Sequence, residues 1–331
     1  MFSQNSSLIT EAYKFSVAPM LDCTDKHFRV LMRQISKRAL LYTEMVVAQA
    51  LHHNDNKKKF LDFESIEHPI SLQVGGDNPK LLSEAAELAQ IWGYDEINLN
   101  IGCPSQKVQS GNFGACLMAQ PEKVAECVKA MTQASDLPVT VKHRIGIDNE
   151  EGELFLINFV DKVSEAGAQR FSIHARKAWL KGLNPKENRT VPPLEYEVVS
   201  KLKEDRPNLL IELNGGLNTL NDCLAALKQF DGVMVGRAAY KNPLLWKEVD
   251  AIIYKEKPKE INAYKVLKGM IPYVERHLYM GGRLWDITKH TVNLVQNVPG
   301  AKSWRHKITQ ESQRKDAGID IYLKAIDLLK F

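Results

Sequence analysis

The sequence has no run of about 18 uncharged apolar residues, the length a membrane-spanning helix needs. Its first residues, MFSQNSSLITEAYKF, lack a basic segment followed by an apolar one, so they do not read as a secretory signal, and the chain reads as cytoplasmic. Cysteine is scarce. Cys23, Cys103, Cys116, Cys127 and Cys223 are odd in number and form no C-x-x-C pair. That argues against a disulfide framework and a structural zinc site, and no metal is expected. No G-x-G-x-x-G follows the first apolar run, which counts against a doubly wound dinucleotide fold. There is no short internal repeat and no low-complexity segment.

What is present is the ordinary make-up of a globular protein, with 44% hydrophobic and 25% charged residues. A length of 331 residues suggests a large domain and a smaller one. Charge is unevenly spread. Lys255 to Phe331 hold 15 Lys+Arg against 8 Asp+Glu, a net of +7, and the other 254 residues hold 29 against 32, a net of −3. A basic tail on a slightly acidic body fits a polyanionic partner such as nucleic acid, or a solvated lysine-rich helical surface.

Eight short apolar runs, partly β-branched and bounded by Pro, Gly or Asn, read as buried parallel strands. They are KFSVAPM from Lys14, ALLYTE from Ala39, PISLQVGG from Pro69, EINLNIG from Glu96, PVTVKHR from Pro138, RFSIHAR from Arg170, LLIELNGG from Leu209 and GVMVGR from Gly232. Helical patterns alternate with them, at 78–93, 120–135, 151–168 and 219–230. The fold expected is α/β, a (β/α)8 TIM barrel over 1–250. A linker YKEKPKE and an all-helical domain over 255–331 follow, with helices in NAYKVLKGMIPYVERHLYM, RLWDITKHTVNLVQNV and SQRKDAGIDIYLKAIDLLKF.

In a barrel the C-terminal ends of the strands build the site. The residues there are Pro19 and Met20, Gln73, Asn98 and Asn100 with Cys103 beyond, Lys142, His143 and Arg144, His174, Asn214-Gly215-Gly216, and Gly236-Arg237. The last two groups fall in the pair of loops that often binds phosphate through backbone N–H groups, although either alone is also a plain turn. Lys142 either meets an anion or a polarised ring, such as the N1–O2 edge of a flavin, or snorkels to solvent. His174 is a ring or substrate contact or a core histidine. His143 and Arg144 are less clear, because neighbours on a strand face opposite ways. Asn98 and Asn100 share a face; they read the edge of a pyrimidine or cap the loop backbone. Cys103 is a packed small residue, a metal ligand, a nucleophile or a proton donor.

Taken in order, these stretches resemble one family over nearly the whole length, the bacterial tRNA-dihydrouridine synthases. The resemblance rests on VAPMLDCTDKHFR, SLQVGG, EINLNIGCPSQKVQSGNFGACLM, VTVKHRIG, FSIHARKAWLKGLNPKENRT, ELNGGL and DGVMVGRAAYKNP. The segment HARKAWLKGLNPKENRTVPPLEYE is similar to the A subfamily, which acts on uridines 20 and 20a of the D-loop. The resemblance implies an FMN-dependent barrel with a helical tRNA-binding domain. FMN contacts would be Pro19, Met20, Gln73, Lys142, His174, Asn214, Gly215, Gly216, Gly236 and Arg237. Cys103 would be the catalytic acid. The tRNA side would include Asn98, Asn100, Lys186, Arg189, Lys302 and Arg305, and the protein would act as a monomer.

The reaction so implied uses NADPH to reduce FMN, hydride transfer from flavin N5 to C6 of a flipped uracil, and a proton from Cys103 to C5. A donor needs Cys103 as a thiol, and its sequence neighbours are amides rather than cations. Gly111 and Gly114 read as the flexible part of a loop that closes over the base. Trp304 is a core residue or a base-stacking one. The rival reaction is an FMN barrel reducing a free pyrimidine or another small enone.

Overall fold

The first strand, β1 (Phe15–Val17), pairs in parallel with β2 (Leu40–Tyr42) on one side and with the last strand, β9 (Gly232–Val235), on the other. That double pairing closes a ring in this computed structural model, which describes residues 11–330. The N-terminal stretch judged not to be a signal lies largely outside the described residues. Around the ring follow β4 (Ile70–Gly75), β5 (Glu96–Ile101), β6 (Val139–Arg144), β7 (Arg170–His174) and β8 (Leu210–Asn214). All pairings are parallel, and β2 joins β4 directly. The fold is therefore an eight-stranded parallel barrel with surrounding helices. A ninth strand, the two-residue β3 (Val46–Val47), pairs only with the end of β4. It is too short to have been read as a run.

Alternation along each strand divides the residues cleanly. Leu72, Val74, Ile97, Leu99, Ile101, Val139, Val141, Phe171, Ile173, Ile211 and Leu213 are buried against the outer layer. The polar residues between them point inward, because their hydrogen bonds jump strands. Arg170 on β7 donates to Glu96 on β5 at 2.6 Å and to Tyr42 on β2 at 2.9 Å. Glu96 also accepts from Ser71 at 2.9 Å and Thr140 at 2.8 Å. Glu212 on β8 accepts from Ser16 and Ser172. Such bonds cross the lumen, so the barrel is filled by a charged, hydrogen-bonded layer. Burial pushes the Glu212 carboxyl up, against the pull of Arg170.

The outer helices start and stop where local chemistry dictates. In α2 (Pro79–Trp92), Asn78 accepts from the N–H groups of Lys80 and Leu81, Pro79 opens the first turn, and Gly93 ends it at φ 83°. α4 (Pro121–Ala134), α5 (Glu153–Glu165) and α6 (Tyr196–Asp205) follow β5, β6 and β7. α7 (Leu220–Ala226) opens on a reciprocal Thr219–Asp222 cap.

Two compact units divide the chain, and not at residues 250–255. The first holds the described residues up to Leu21 and Arg38–Gly236. The second holds Asp22–Lys37 and the chain from Arg237 onward. It therefore claims α1 (Lys26–Ile35), a helix from between β1 and β2. Side-chain bonds explain this. His27 pairs with the Tyr273 hydroxyl at 2.8 Å, Asp25 with Lys289 at 2.8 Å and His290 at 2.9 Å, and Ser36 with Asp250 at 2.5 Å. Sequence position alone does not reveal such long-range partners.

The second unit is helical. α8 (Ala263–Tyr279) begins at Asn262, which accepts from Lys265 N–H, and α9 (Leu284–Thr291) follows. α10 (Ala301–Glu311) was not among the expected helices, and Ser312 to Gly318, expected to be helical, form only its exit and a turn. α11 (Ile319–Ile326) completes the unit. Trp304 on α10 is fully buried, its ring 6.2 Å from that of Tyr322, which makes it core. Among the described residues no helix is long and apolar enough to cross a membrane.

Candidate active site

The strand ends of the barrel bring β5, β6, β7 and β8 side chains together in register. Asn100 lies opposite Lys142, and His174 opposite Asn214. Lys142 Nζ donates to Asn214 Oδ1 at 3.1 Å, and Asn214 Nδ2 donates to the Met234 carbonyl at 2.7 Å. Burial, then the charge of Arg144, pushes the Lys142 ammonium down to about 8. A lysine held this way is poised for an anion or a polarised ring edge.

Gly215 and Gly216 turn the chain beyond β8 at φ 108° and 73°. A Cβ on Gly215 would come within 2.6 Å of His174 Cδ2, and one on Gly216 within 2.6 Å of the Tyr196 hydroxyl. That hydroxyl donates to the Gly215 carbonyl at 2.5 Å. Only glycines fit the turn. Gly236, after β9, has only Ala18 Cβ and Met20 Sδ near its missing side chain, both at 3.7 Å. Pro19, Met20 and His174 are half-buried, and Arg237 is exposed at the start of the second unit.

Cys103 is half-buried in a turn tied on every side. Asn100 Oδ1 accepts from Gly102 N–H at 3.1 Å and Cys103 N–H at 3.0 Å. Arg144 Nε donates to the Gly102 carbonyl at 3.0 Å, and Ala115 N–H to the Cys103 carbonyl at 3.0 Å. The sulfur lies 3.6 Å from Ser105 Oγ. The surroundings are not cation-poor. A negative Cys103 would favour the charged forms of both Lys142 and Arg144, and Arg189 repels both. Strand pairing delivers β6 cations that chain order hides, so the turn is not surrounded by amides alone.

The two asparagines separate. Asn98 is fully buried, accepting from Gln73 Nε2 at 2.8 Å and donating to Thr140 at 2.9 Å. It does not face a substrate; it lies in the layer below. Asn100 is half-buried, caps the loop backbone through Oδ1 and donates one Nδ2 proton to Gln73 Oε1 at 2.9 Å. Gln73 is itself buried and occupied by this pair. Gly114 is not a flexible joint. A Cβ there would sit 2.6 Å from the Cys103 carbonyl, and φ is 76°. Phe113 is buried, packed beside Gly75 and Gly111.

His143 faces outward, its ring 4.9 Å from that of Phe159, and burial pushes it down to about 4. Arg144, left unclear by its sequence position, lies on the same face as Lys142, two residues along β6. Its Nη1 donates to the carbonyls of Lys177 at 3.1 Å and Asn188 at 2.9 Å, in the loop after β7. Buried Asn188 ties that loop, bonding to Trp179 in both directions at 2.8 and 2.9 Å. Lys186 and Arg189 are exposed around it. Lys302 is exposed on α10, and Arg305 donates to the Val295 carbonyl at 2.9 Å. Among the described residues no three His, Cys, Asp or Glu side chains are grouped to hold a metal.

The barrel is similar to that of morphinone reductase, with a TM-score of 0.53 at 12% identity over 76% of this chain and 88% of that one, a likeness of fold. Among curated proteins, the tRNA-dihydrouridine(20/20a) synthase of Synechocystis sp. is 52% identical, covering 96% of this chain and 94% of its own. That of Shewanella oneidensis is 50% identical over 93% and 91%, and that of Escherichia coli O6:H1 47% over 98% of both. The family model for dihydrouridine synthase (Dus) matches residues 16–330. With that match spanning barrel and helical unit alike, the chain belongs to the dihydrouridine synthase family.

Proposed function

We propose that this protein reduces uridine to 5,6-dihydrouridine at positions 20 and 20a of tRNA, with FMN as cofactor and NADPH as reductant. The observation that carries the reading is Cys103, fixed in a bonded turn at the strand ends whose neighbours include Lys142 and the Gly215–Gly216 turn. The likeness to relatives named tRNA-dihydrouridine(20/20a) synthase supports it.

The residues fit a flavin mononucleotide. The glycines at the Gly215–Gly216 turn and at Gly236 suit a close approach of a phosphate to backbone, with Arg237 next in the chain. Lys142, with its depressed ammonium, suits the N1–O2 edge, where negative charge develops on reduction, and Asn214 orients it. Pro19, Met20 and His174 would line the ring, with Gln73 supporting from below. When bound, the flavin would supply the hydride that adds at uracil C6.

The chain's own part is to admit, orient and protonate. A stacked uridine cannot reach a barrel mouth, so the base is extruded. Cys103 gives its proton to C5 of the reduced ring, which general-acid catalysis makes worth about 10²–10⁴-fold. Lys186 and Arg189, exposed on the loop after β7, would take backbone phosphates. In the second unit, Lys302 and Arg305 would do the same. There Lys37, Lys247, Lys257, Lys259 and Lys265 also line a hollow of about 190 Å³, with Asp250 and Glu260 beside them and Glu260 paired to Lys265, a net positive lining that supports a polyanionic partner.

The test is direct. Purified protein should be yellow and, with NADPH and unmodified tRNA, should form dihydrouridine at 20 and 20a. A colourless protein, or turnover on free uridine but not tRNA, would overturn the reading.

A further inference from the structure

Gln109 sits in α3 (Gln106–Ser110), the short helix after Cys103, whose start is capped by Ser105. Its amide nitrogen donates to two carbonyl oxygens, that of Pro104 at 2.8 Å and that of Leu180 at 3.0 Å. An amide nitrogen carries two protons, so both are used. The first bond holds the residue after Cys103. The second reaches the loop after β7, which carries Lys186 and Arg189. Leu180 N–H is in turn held by Asp148 Oδ1 at 2.8 Å.

The Cys103 turn thus has two kinds of support. Asn100 and Ala115 hold it locally. Arg144 and Gln109 hold it to the loop after β7, one before the cysteine and one after it. A half-buried glutamine that spends both protons on carbonyls from two loops fixes their relative register.

We propose that Gln109 is a positioning residue that sets Cys103 Sγ by locking its turn to the Leu180 loop, so that the thiol's placement follows the seating of the loop offered to RNA. This rests on the reading of Cys103 as proton donor. Methionine fills the glutamine volume without donors. Glutamate places a carboxylate against two carbonyls, and regains one donor only when protonated. A displacement of about 1 Å at a reacting group can cost about 10²-fold in rate, without loss of binding.

Two readouts test this. The first is single-turnover conversion of tRNA by pre-reduced enzyme. The second is the rate of iodoacetamide alkylation at Cys103, read by mass spectrometry in the absence of tRNA. Gln109→Met should slow conversion at least tenfold with tRNA affinity unchanged, and should raise the alkylation rate severalfold. Gln109→Glu should gain on Gln109→Met as pH falls from 8 to 5, which a merely structural role would not produce. If Gln109→Met does not fold, the same pH gain of Gln109→Glu relative to wild type carries the test. Unchanged conversion overturns the proposal, and so does slowed conversion with unchanged alkylation. Failure of the donor reading itself appears elsewhere, as full dihydrouridine formation by Cys103→Ala, while the alkylation arm still reports on Gln109.

Discussion

Arg144 Nε donates to the carbonyl of Gly102 at 3.0 Å, so the residue before Cys103 is anchored from the next strand of the barrel. The same guanidinium reaches Asn188 at 2.9 Å. A planar fork serves both acceptors; a lysine ammonium cannot reproduce that geometry. Arg144→Lys should therefore lower conversion of tRNA by about 10–10²-fold. Reduction of the bound flavin by NADPH should stay near the wild-type rate. Stopped-flow absorbance at the flavin band, beside dihydrouridine mapping, separates the two half-reactions. Equal losses in both would show that Arg144 supports the fold rather than the turn.

Lys142 gives a pH signature. Its ammonium is depressed to about 8, by burial first and Arg144 next. The polarised N1–O2 edge of a flavin binds the charged form, so bound flavin raises this value. Affinity for FMN should then be highest below pH 8 and fall as pH rises through 8. Lys142→Met should bind FMN more weakly at pH 7 and show little change between pH 7 and 9. Fluorescence titration of the apoprotein across that range checks both. A wild-type affinity flat over it would sink the assignment.

The barrel was legible because its strands alternate. Polar residues at every second position of EINLNIG and PVTVKHR sit between apolar ones, and turn residues bound each run. The partners were not legible. Asn98 looked like a substrate edge because only its spacing from Asn100 was visible. Its bonds to Gln73 and Thr140 come from strands 25 and 42 residues away. Gln109, and the carbonyl partners of Arg144, were hidden for the same reason, since each acts across a loop. α10 escaped because Gly300 starts it without a side-chain cap, so the sequence lacks the usual start signal. The place of α1 in the second unit depends on contacts such as Asp25 with His290, distant in the chain.

Gly114 predicts a sharp intolerance. Its φ of 76° is strained for any L side chain, and a Cβ would lie 2.6 Å from the Cys103 carbonyl, backbone that cannot step aside. Gly114→Ala should destabilise the protein by about 1–3 kcal/mol or more. It should also displace the Ala115–Cys103 bond and so reduce conversion. Gly93→Ala is the control, since its φ of 83° is similarly positive but nothing lies within 4 Å of its Cβ. The two variants compared by urea unfolding divide backbone strain from steric clash. Equal losses would mean that contact with Cys103 adds nothing.

Two buried histidines contribute to the acid side of the stability curve. Burial pushes His27 down to about 3 and His143 down to about 4, so both are neutral in the folded state at pH 5. In the unfolded chain each takes a proton below about 6.5. Between these values the unfolded state binds more protons, so stability rises with pH in that window. Moving from pH 7 to pH 5 should cost the wild type about 2 kcal/mol per histidine. His143, ringed by Phe159 and Phe171, can be replaced by an apolar residue of similar size. His143→Leu should therefore lose less stability over that pH step than the wild type, by about 2 kcal/mol, whatever its stability at pH 7. Urea unfolding at the two pH values measures the difference. An identical pH loss in variant and wild type would mean that His143 is not held neutral by its surroundings.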